Sequence, residues 1–288
     1  MMILCIYNAL RLVSVKHSST LGAGPRRMKA LVINLDKAQD RWEFQKLQLG
    51  RLSIKYERLS AVEVGSLSPE QYEREAYSWE RPLRVVELAC FLSHMKAWER
   101  VVELDENTLV LEDDALLSSV VPILLKEIEE LEIDYASFET RKRKKLLSKS
   151  SRVLSHGYSA VEMFQDRCGA AGYFLSPKGA EILLNRYKSH GAALADAFIA
   201  HCYEWQAYQV VPAAIIQLDC TTHYGVPSPM QTVSFIATVE KPELRSTLEY
   251  IRFKLRRIWA QVRLGIRVLW KRGEWVEVSV QRKDFGDE

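Results

Sequence analysis

Thr108-Leu-Val-Leu-Glu-Asp-Asp-Ala115 joins a short apolar run to three consecutive carboxylates. Leu109, Val110 and Leu111 read as a buried strand, because a brief continuous apolar run bounded by polar residues suits a strand covered on both faces. In an open α/β sheet, ligands bind beyond the carboxyl ends of the strands, so Glu112, Asp113 and Asp114 point toward a crevice. If the chain stays extended, Glu112 and Asp114 face one way and Asp113 the other. Two carboxylates on a rigid strand end suit a hard divalent cation that also takes phosphate oxygens. A solvated acidic turn is the competing reading, and the rest of the chain must decide between them.

The 288 residues suffice for one large α/β domain with a substantial core. A content of 48% apolar and 27% charged residues is ordinary for a globular protein, and a net charge of +3 is too small to argue for nucleic acid. The five cysteines are widely spaced and include no C-x-x-C, which argues against a disulfide framework or a zinc site and fits a reducing compartment. No run approaches the roughly 18 apolar residues of a membrane-spanning helix. The first ten residues are apolar but lack a positive leader and a clear cleavage site. Met28 is therefore read as the natural start, and residues 1–27 as an extension with little structure.

Outward from the acidic stretch, residues 30–35 read as a first buried strand, 41–52 as a helix and 54–59 as a second strand. Residues 63–82 contain Pro69 and Pro82 and read as a loop or short helices. Leu88, Phe91, Leu92, Met95, Trp98 and Val102 share one face of a helix over 87–104. A helix over 118–131 and strands over 133–138, 169–175 and 209–216 follow. Ser176 is the expected N-cap, and Pro177 the first residue, of the helix after the third of these segments' glycine-containing strand. A further helix is expected over 196–203. The basic run within 141–152 reads by default as a solvated loop. Strands alternating with helices imply an α/β sheet covered on both faces.

Four segments stand in order: Val32-Ile-Asn-Leu-Asp36 with Arg41, Glu87-Leu-Ala-Cys-Phe-Leu-Ser-His-Met-Lys-Ala-Trp98, Val110-Leu-Glu-Asp-Asp-Ala115 and Gly172-Tyr-Phe-Leu-Ser-Pro-Lys-Gly-Ala180. Together they resemble glycosyltransferase family 25, the lipooligosaccharide galactosyltransferases of Gram-negative bacteria and their collagen-modifying relatives. The resemblance covers about residues 28–220. It implies a GT-A fold, a Rossmann-like mixed sheet flanked by helices. It also implies a nucleotide-sugar donor, most often UDP-galactose, a divalent metal (manganese or magnesium) and inversion at the anomeric carbon.

In that frame Glu112 and Asp114 match the family's acidic motif and are the expected metal residues, with Asp113 near the ribose or orienting its neighbours. The longer first side chain leaves open whether Glu112 meets the metal directly or through water. Asn34 and Asp36 end the first strand, where the nucleotide of such an enzyme is held. Arg41 either reaches the phosphates or pairs with Asp40 or Glu43. Ser93 and His94 are expected at the donor site, although a histidine beside an apolar face often serves structure alone. Inversion requires a base to take the acceptor's hydroxyl proton. Asp196 is the first candidate, in Leu-Ala-Asp where the family usually has Pro-x-Asp, and it could equally be an acid stabilised by a helix N-terminus. Asp166 is the second candidate. His223 is a possible third metal ligand.

Residues 250–272 carry eight basic residues and no acid, and their apolar residues recur at spacings of three and four. A basic amphipathic helix with tryptophans suggests an interfacial membrane helix; packing on the protein's own core or on a second subunit is the alternative. The expected organisation is thus an extension over 1–27, a catalytic domain over 28–238 and a basic tail over 239–288. The expected protein is cytoplasmic and peripheral on a bacterial inner membrane, acting on a lipid-linked or lipopolysaccharide acceptor. A metal-dependent phosphoesterase is one alternative, though it should show more Asp and His ligand motifs. A non-catalytic basic adaptor is the other, and it has no need of Glu112 and Asp114. Loops such as 63–82 and 141–165 are expected to choose sugar, acceptor and linkage.

Overall fold

The computed structural model describes residues 28–166, 169–230, 242 and 246–286. The reading of residues 1–27 as an extension falls outside that range. The elements run β1 (Lys29–Asn34), α1 (Gln39–Arg51), β2 (Lys55–Ser60), α2 (Pro69–Glu75), α3 (Val85–Leu104), β3 (Thr108–Glu112), β4 (Ala115–Leu117) and α4 (Val121–Glu130). They continue with β5 (Tyr135–Ser137), β6 (Lys144–Val153), β7 (Ser159–Gln165), β8 (Gly172–Leu175), α5 (Pro177–His190), α6 (Ala195–Ala200), β9 (Ala207–Val211) and β10 (Ile215–Gln217). The last are α7 (Thr221–Tyr224), α8 (Thr247–Lys271) and β11 (Glu274–Glu277).

Nine strands make one mixed sheet in the order β11-β6-β7-β9-β5-β8-β3-β1-β2. β1 is parallel to both β2 and β3, while β8 runs antiparallel between β3 and β5. The carboxyl ends of β1 and β3 therefore lie side by side, which brings Asn34 next to the acidic turn. Strand alternation sorts the core into two layers. Leu31 and Val110 face a cluster built on Leu88, Phe91 and Trp98 of α3 and Leu183 of α5. Val32, Leu109 and Leu111 face the opposite cluster, with Leu124, Leu125 and Ile128 of α4. Together these layers form the α/β sandwich expected of a Rossmann-like glycosyltransferase.

Ser176 caps α5 by accepting from Gly179 N at 2.9 Å, with Pro177 opening the helix. A Cβ on Gly179 would lie 2.5 Å from the backbone oxygen of Asp134, so that glycine lets α5 approach the start of β5. The segment expected as one strand over 209–216 is two, β9 and β10, interrupted at Pro212, which has no N–H to give a ladder. β10 pairs with β4 instead of continuing in the large sheet.

Two further differences matter for function. The basic run is not a solvated loop: it enters β6, and Lys145 is 0% exposed. Its ammonium pairs with Asp166 at 2.9 Å and donates to Gln209 Oε1 at 2.6 Å, Ser137 Oγ at 3.2 Å and the Glu139 carbonyl at 3.0 Å. Residues 141–165, expected as loop, thus supply two strands of the sheet. The residues after α8 also rejoin the body. β11 pairs with β6, Val278 and Phe285 are buried, and Ser119 N donates to Asp284 O at 2.7 Å.

α8 begins under a Ser246 cap and shows its stripe to solvent, with Leu255 61%, Trp259 64%, Ile266 52% and Trp270 84% exposed. Cations hold its inner face. Arg256 donates to the carbonyls of Tyr77 and Trp79 at 2.7 and 2.9 Å. Arg267 donates to the Phe164 carbonyl at 2.8 Å and lies 4.4 Å from the Tyr203 ring centre.

Candidate active site

β3 ends at Glu112, and the chain turns at once through Asp113 and Asp114. Each carboxylate meets a different set of partners. Asp113 is buried, accepting from Asn34 Nδ2 at 2.7 Å and pairing with Arg41 at 2.8 Å. Arg41 thus takes Asp113 rather than Asp40 or Glu43. Burial still lifts the Asp113 carboxyl above its ordinary value, against the pull of Arg41 and Asn34. Asn34 is itself fully engaged: its amide also donates to the Ala38 carbonyl at 3.1 Å, and its oxygen accepts from Arg58 at 2.9 Å. Asp36 stays exposed and accepts from Ser60 Oγ at 2.9 Å.

Glu112 faces α3. His94 Nε2 lies 3.1 Å from one of its oxygens, and Gln217 Nε2 donates to the other at 3.1 Å. Burial raises this carboxyl, but the His94 contact, with Arg141 and Gln217, outweighs burial and leaves it below its ordinary value. Asp114 has no such support. Its Oδ1 is sealed from solvent without a hydrogen-bond partner, and burial together with the charges of Glu112 and Asp113 pushes its pKa up to about 8. A buried carboxyl with an open oxygen, close to a carboxyl held below its ordinary value, offers hard oxygens of the kind that divalent cations such as manganese or magnesium take.

Ser93 links α3 to the segment after β2: it accepts from Val62 N and donates to the Ala89 carbonyl, both at 2.8 Å. Cys90, His94 and Glu112 each offer one ligand-type atom, and these atoms lie within 4.8 Å of one another. The cysteine spacing in the sequence gave no hint of this grouping, because two of its members lie one turn apart on α3 and the third ends a strand.

Asp196 and Asp166 line one cleft with Gln165, Tyr203 and Arg267. Asp196 accepts from Ala197 N at 2.7 Å, and its carboxyl is raised chiefly by burial. Asp166 is committed to Lys145. His223 turns to Glu277 of β11, with Nε2–Oε1 at 3.5 Å. Sequence reasoning missed Gln217, Tyr173, Arg141 and Glu139. Arg141 pairs with Asp219 at 2.7 Å and bears electrostatically on Asp114. Glu139 is buried and pushed up to about 8, mainly by burial and then by Glu112. Glu139 and Gln217 carried no local signal, and although Arg141 lies in the basic run and Tyr173 in the Gly172–Ala180 segment, the partners of all four come from distant parts of the chain.

The acidic turn at the carboxyl end of β3 lies where α/β enzymes commonly bind their ligands. The family model described as glycosyltransferase family 25 (LPS biosynthesis protein) matches residues 28–199. The chain belongs to that family. It is 32% identical over 145 residues to the lacto-N-neotetraose biosynthesis glycosyltransferase LgtB of Neisseria gonorrhoeae, covering 47% of this chain and 48% of that protein. It is 24% identical over 204 residues to the lipooligosaccharide biosynthesis protein lic2B of Haemophilus influenzae, covering 65% of this chain and 74% of the relative. Procollagen galactosyltransferase 2 of Mus musculus is 26% identical over 168 residues, covering 53% of this chain. This chain spans only 27% of the length of that protein.

Proposed function

We propose that this chain is an inverting, metal-dependent hexosyltransferase that moves galactose from UDP-galactose to a hydroxyl of a lipid-linked or lipopolysaccharide glycan. The observation that carries this reading is Asp114, a carboxylate with a sealed, unpartnered oxygen beside ionised Glu112 at the end of β3. Asp114 and Glu112 would hold the cation. Bound there, a divalent ion neutralises the departing diphosphate as a Lewis acid and template. Asp113, Asn34 and Arg41 act as one rigid unit that fixes the turn beneath it. The names of the galactosyltransferases and lipooligosaccharide proteins among its relatives support the sugar and the acceptor class.

In the reaction, the acceptor oxygen attacks the anomeric carbon as the bond to the diphosphate oxygen breaks, and a carboxylate takes the hydroxyl proton. Asp196 suits that base, because burial raises its affinity for a proton. Asp166 suits it less well, being tied to a buried lysine. His223 is engaged with Glu277 and is left out of the cation set.

The same reading seats the protein on the cytoplasmic face of a bacterial inner membrane through α8. Its apolar stripe is uncovered, and Arg252, Lys254, Arg257 and Arg272 are exposed around it, a pattern complementary to anionic lipid. Among the described residues no helix is long and apolar enough to cross a membrane. Incubation with UDP-galactose and manganese should release UDP and free galactose slowly, and EDTA should stop it. Turnover unaffected by EDTA, or none with any nucleotide sugar, would overturn this reading.

A further inference from the structure

Trp98, Tyr173, His94 and Glu112 form a single chain of hydrogen bonds from the core to the acidic turn. Trp98 Nε1 donates to the Tyr173 hydroxyl at 2.9 Å, the hydroxyl lies 3.0 Å from His94 Nδ1, and His94 Nε2 lies 3.1 Å from Glu112 Oε1. The first three residues are at most 1% exposed, so solvent does not substitute for a missing partner. The direction of the chain follows from what each group is able to give. An indole N–H only donates, so Tyr173 oxygen accepts from Trp98 and keeps one proton to give. A proton on His94 Nδ1 would leave the Tyr173 proton facing another donor inside a closed core, a mismatch that buried hydroxyls avoid. Nδ1 therefore accepts, the ring proton resides on Nε2, and His94 donates to Glu112.

The geometry points to Trp98 and Tyr173 as positioning residues that lock His94 in its Nε2–H form, so that His94 and Gln217 together fix the Glu112 carboxylate for the donor's cation. Gln217 donates to the second oxygen, so each Glu112 oxygen has one donor and retains lone-pair capacity for a cation. The inference rests on the proposed cation role of Glu112 only in its last step; the tautomer is a property of the protein alone.

Two measurements test it on the full chain. Nitrogen-15 NMR of labelled histidine, with the His94 signals assigned by their loss in His94→Gln, should show a protonated Nε2 and an unprotonated Nδ1. Tyr173→Phe should turn this into a mixture of tautomers. A proton on Nδ1, or a ring indifferent to Tyr173→Phe, would overturn the relay. Manganese activation of UDP-galactose hydrolysis then reads the positioning role. Tyr173→Phe and His94→Leu should raise the half-activating manganese concentration about tenfold, with a smaller loss of kcat at saturating metal. His94→Gln should recover part of the manganese affinity that His94→Leu loses, because an amide in place of the ring is able to donate to Glu112. Wild-type manganese dependence in His94→Leu would overturn the positioning role. If the wild-type chain itself shows no metal-dependent turnover, the cation role of Glu112 falls and the NMR result alone decides the relay.

Discussion

Asp114 and Glu112 are two residues apart yet lie on opposite sides of the ordinary carboxyl range, and the difference is one of partners rather than position. Glu112 has His94 and Gln217; at Asp114, burial and the charges of Glu112, Asp113 and Asp219 outweigh the pull of Arg41. Replacing Asp114 by Asn should abolish transfer while the fold survives, because the amide relieves the charge crowding but is a poor partner for a divalent cation. Full activity in that variant would remove Asp114 from the cation site. Lys145 gives the opposite kind of prediction. Lys145→Met strips the buried Asp166 of its counter-charge and should cost about 3–5 kcal/mol of stability, read by denaturant unfolding. A loss under about 1 kcal/mol would mean that Asp166 finds water instead.

α8 carries the clearest expectation among the secondary-structure elements. The stripe over Leu255, Ile258, Val262 and Ile266 is solvent-facing, while Arg256 and Arg267 tie the opposite side to carbonyls of the body. Truncating the chain before α8 would also remove β11 and the buried Phe285, so point changes are the better test. Trp259→Ser with Trp270→Ser should lower partitioning onto anionic vesicles about tenfold or more, since interfacial burial of apolar area drives it. The remaining binding should weaken with salt through the flanking cations. Unchanged vesicle flotation in the double variant would mean that the stripe docks elsewhere. β6 teaches a related lesson: Lys144, Lys149 and Arg152 are exposed, and Lys145 alone of its basic residues enters the buried network.

For the whole protein, a nucleotide that binds only the folded state must stabilise it by mass action. UDP with manganese at about 100 times Kd should contribute about 2.7 kcal/mol, which raises the melting temperature by about 5 °C or more. No shift with any nucleoside diphosphate would remove the donor site. Glu139 should act in the opposite sense to ordinary acid denaturation. It has its folded pKa raised to about 8 from 4.5, so below about pH 4.5 it is protonated in both states and costs nothing. Between there and pH 8 the unfolded chain ionises first, and the contribution of Glu139 to stability falls as pH rises. Glu139→Gln should flatten this decline in metal-free melting curves; an equal slope in the variant would assign it to other groups.

Much of this architecture was legible in the chain, because strand and helix periods are local. The apolar runs ending at Asn34 and Glu112, the face of α3 and the Ser176-Pro177 start of α5 all follow from neighbours a few residues apart. So did the segments that carry the family resemblance, and with them the acidic turn at 112–114. What local pattern could not supply were partners brought from far along the chain. Lys145 looked solvated until the sheet set it against Asp166 and Gln209, and strand β9 stopped at Pro212 because its continuation pairs with β4. The amphipathic stripe of α8 was visible, but not which side would meet the body. That depended on carbonyls at Tyr77, Trp79 and Phe164. Likewise Glu112 was readable as an acid near a ligand, whereas its fixed orientation depends on His94, Tyr173, Trp98 and Gln217. Sequence determines what each segment can bury or donate; only the assembled sheet determines which distant group receives it.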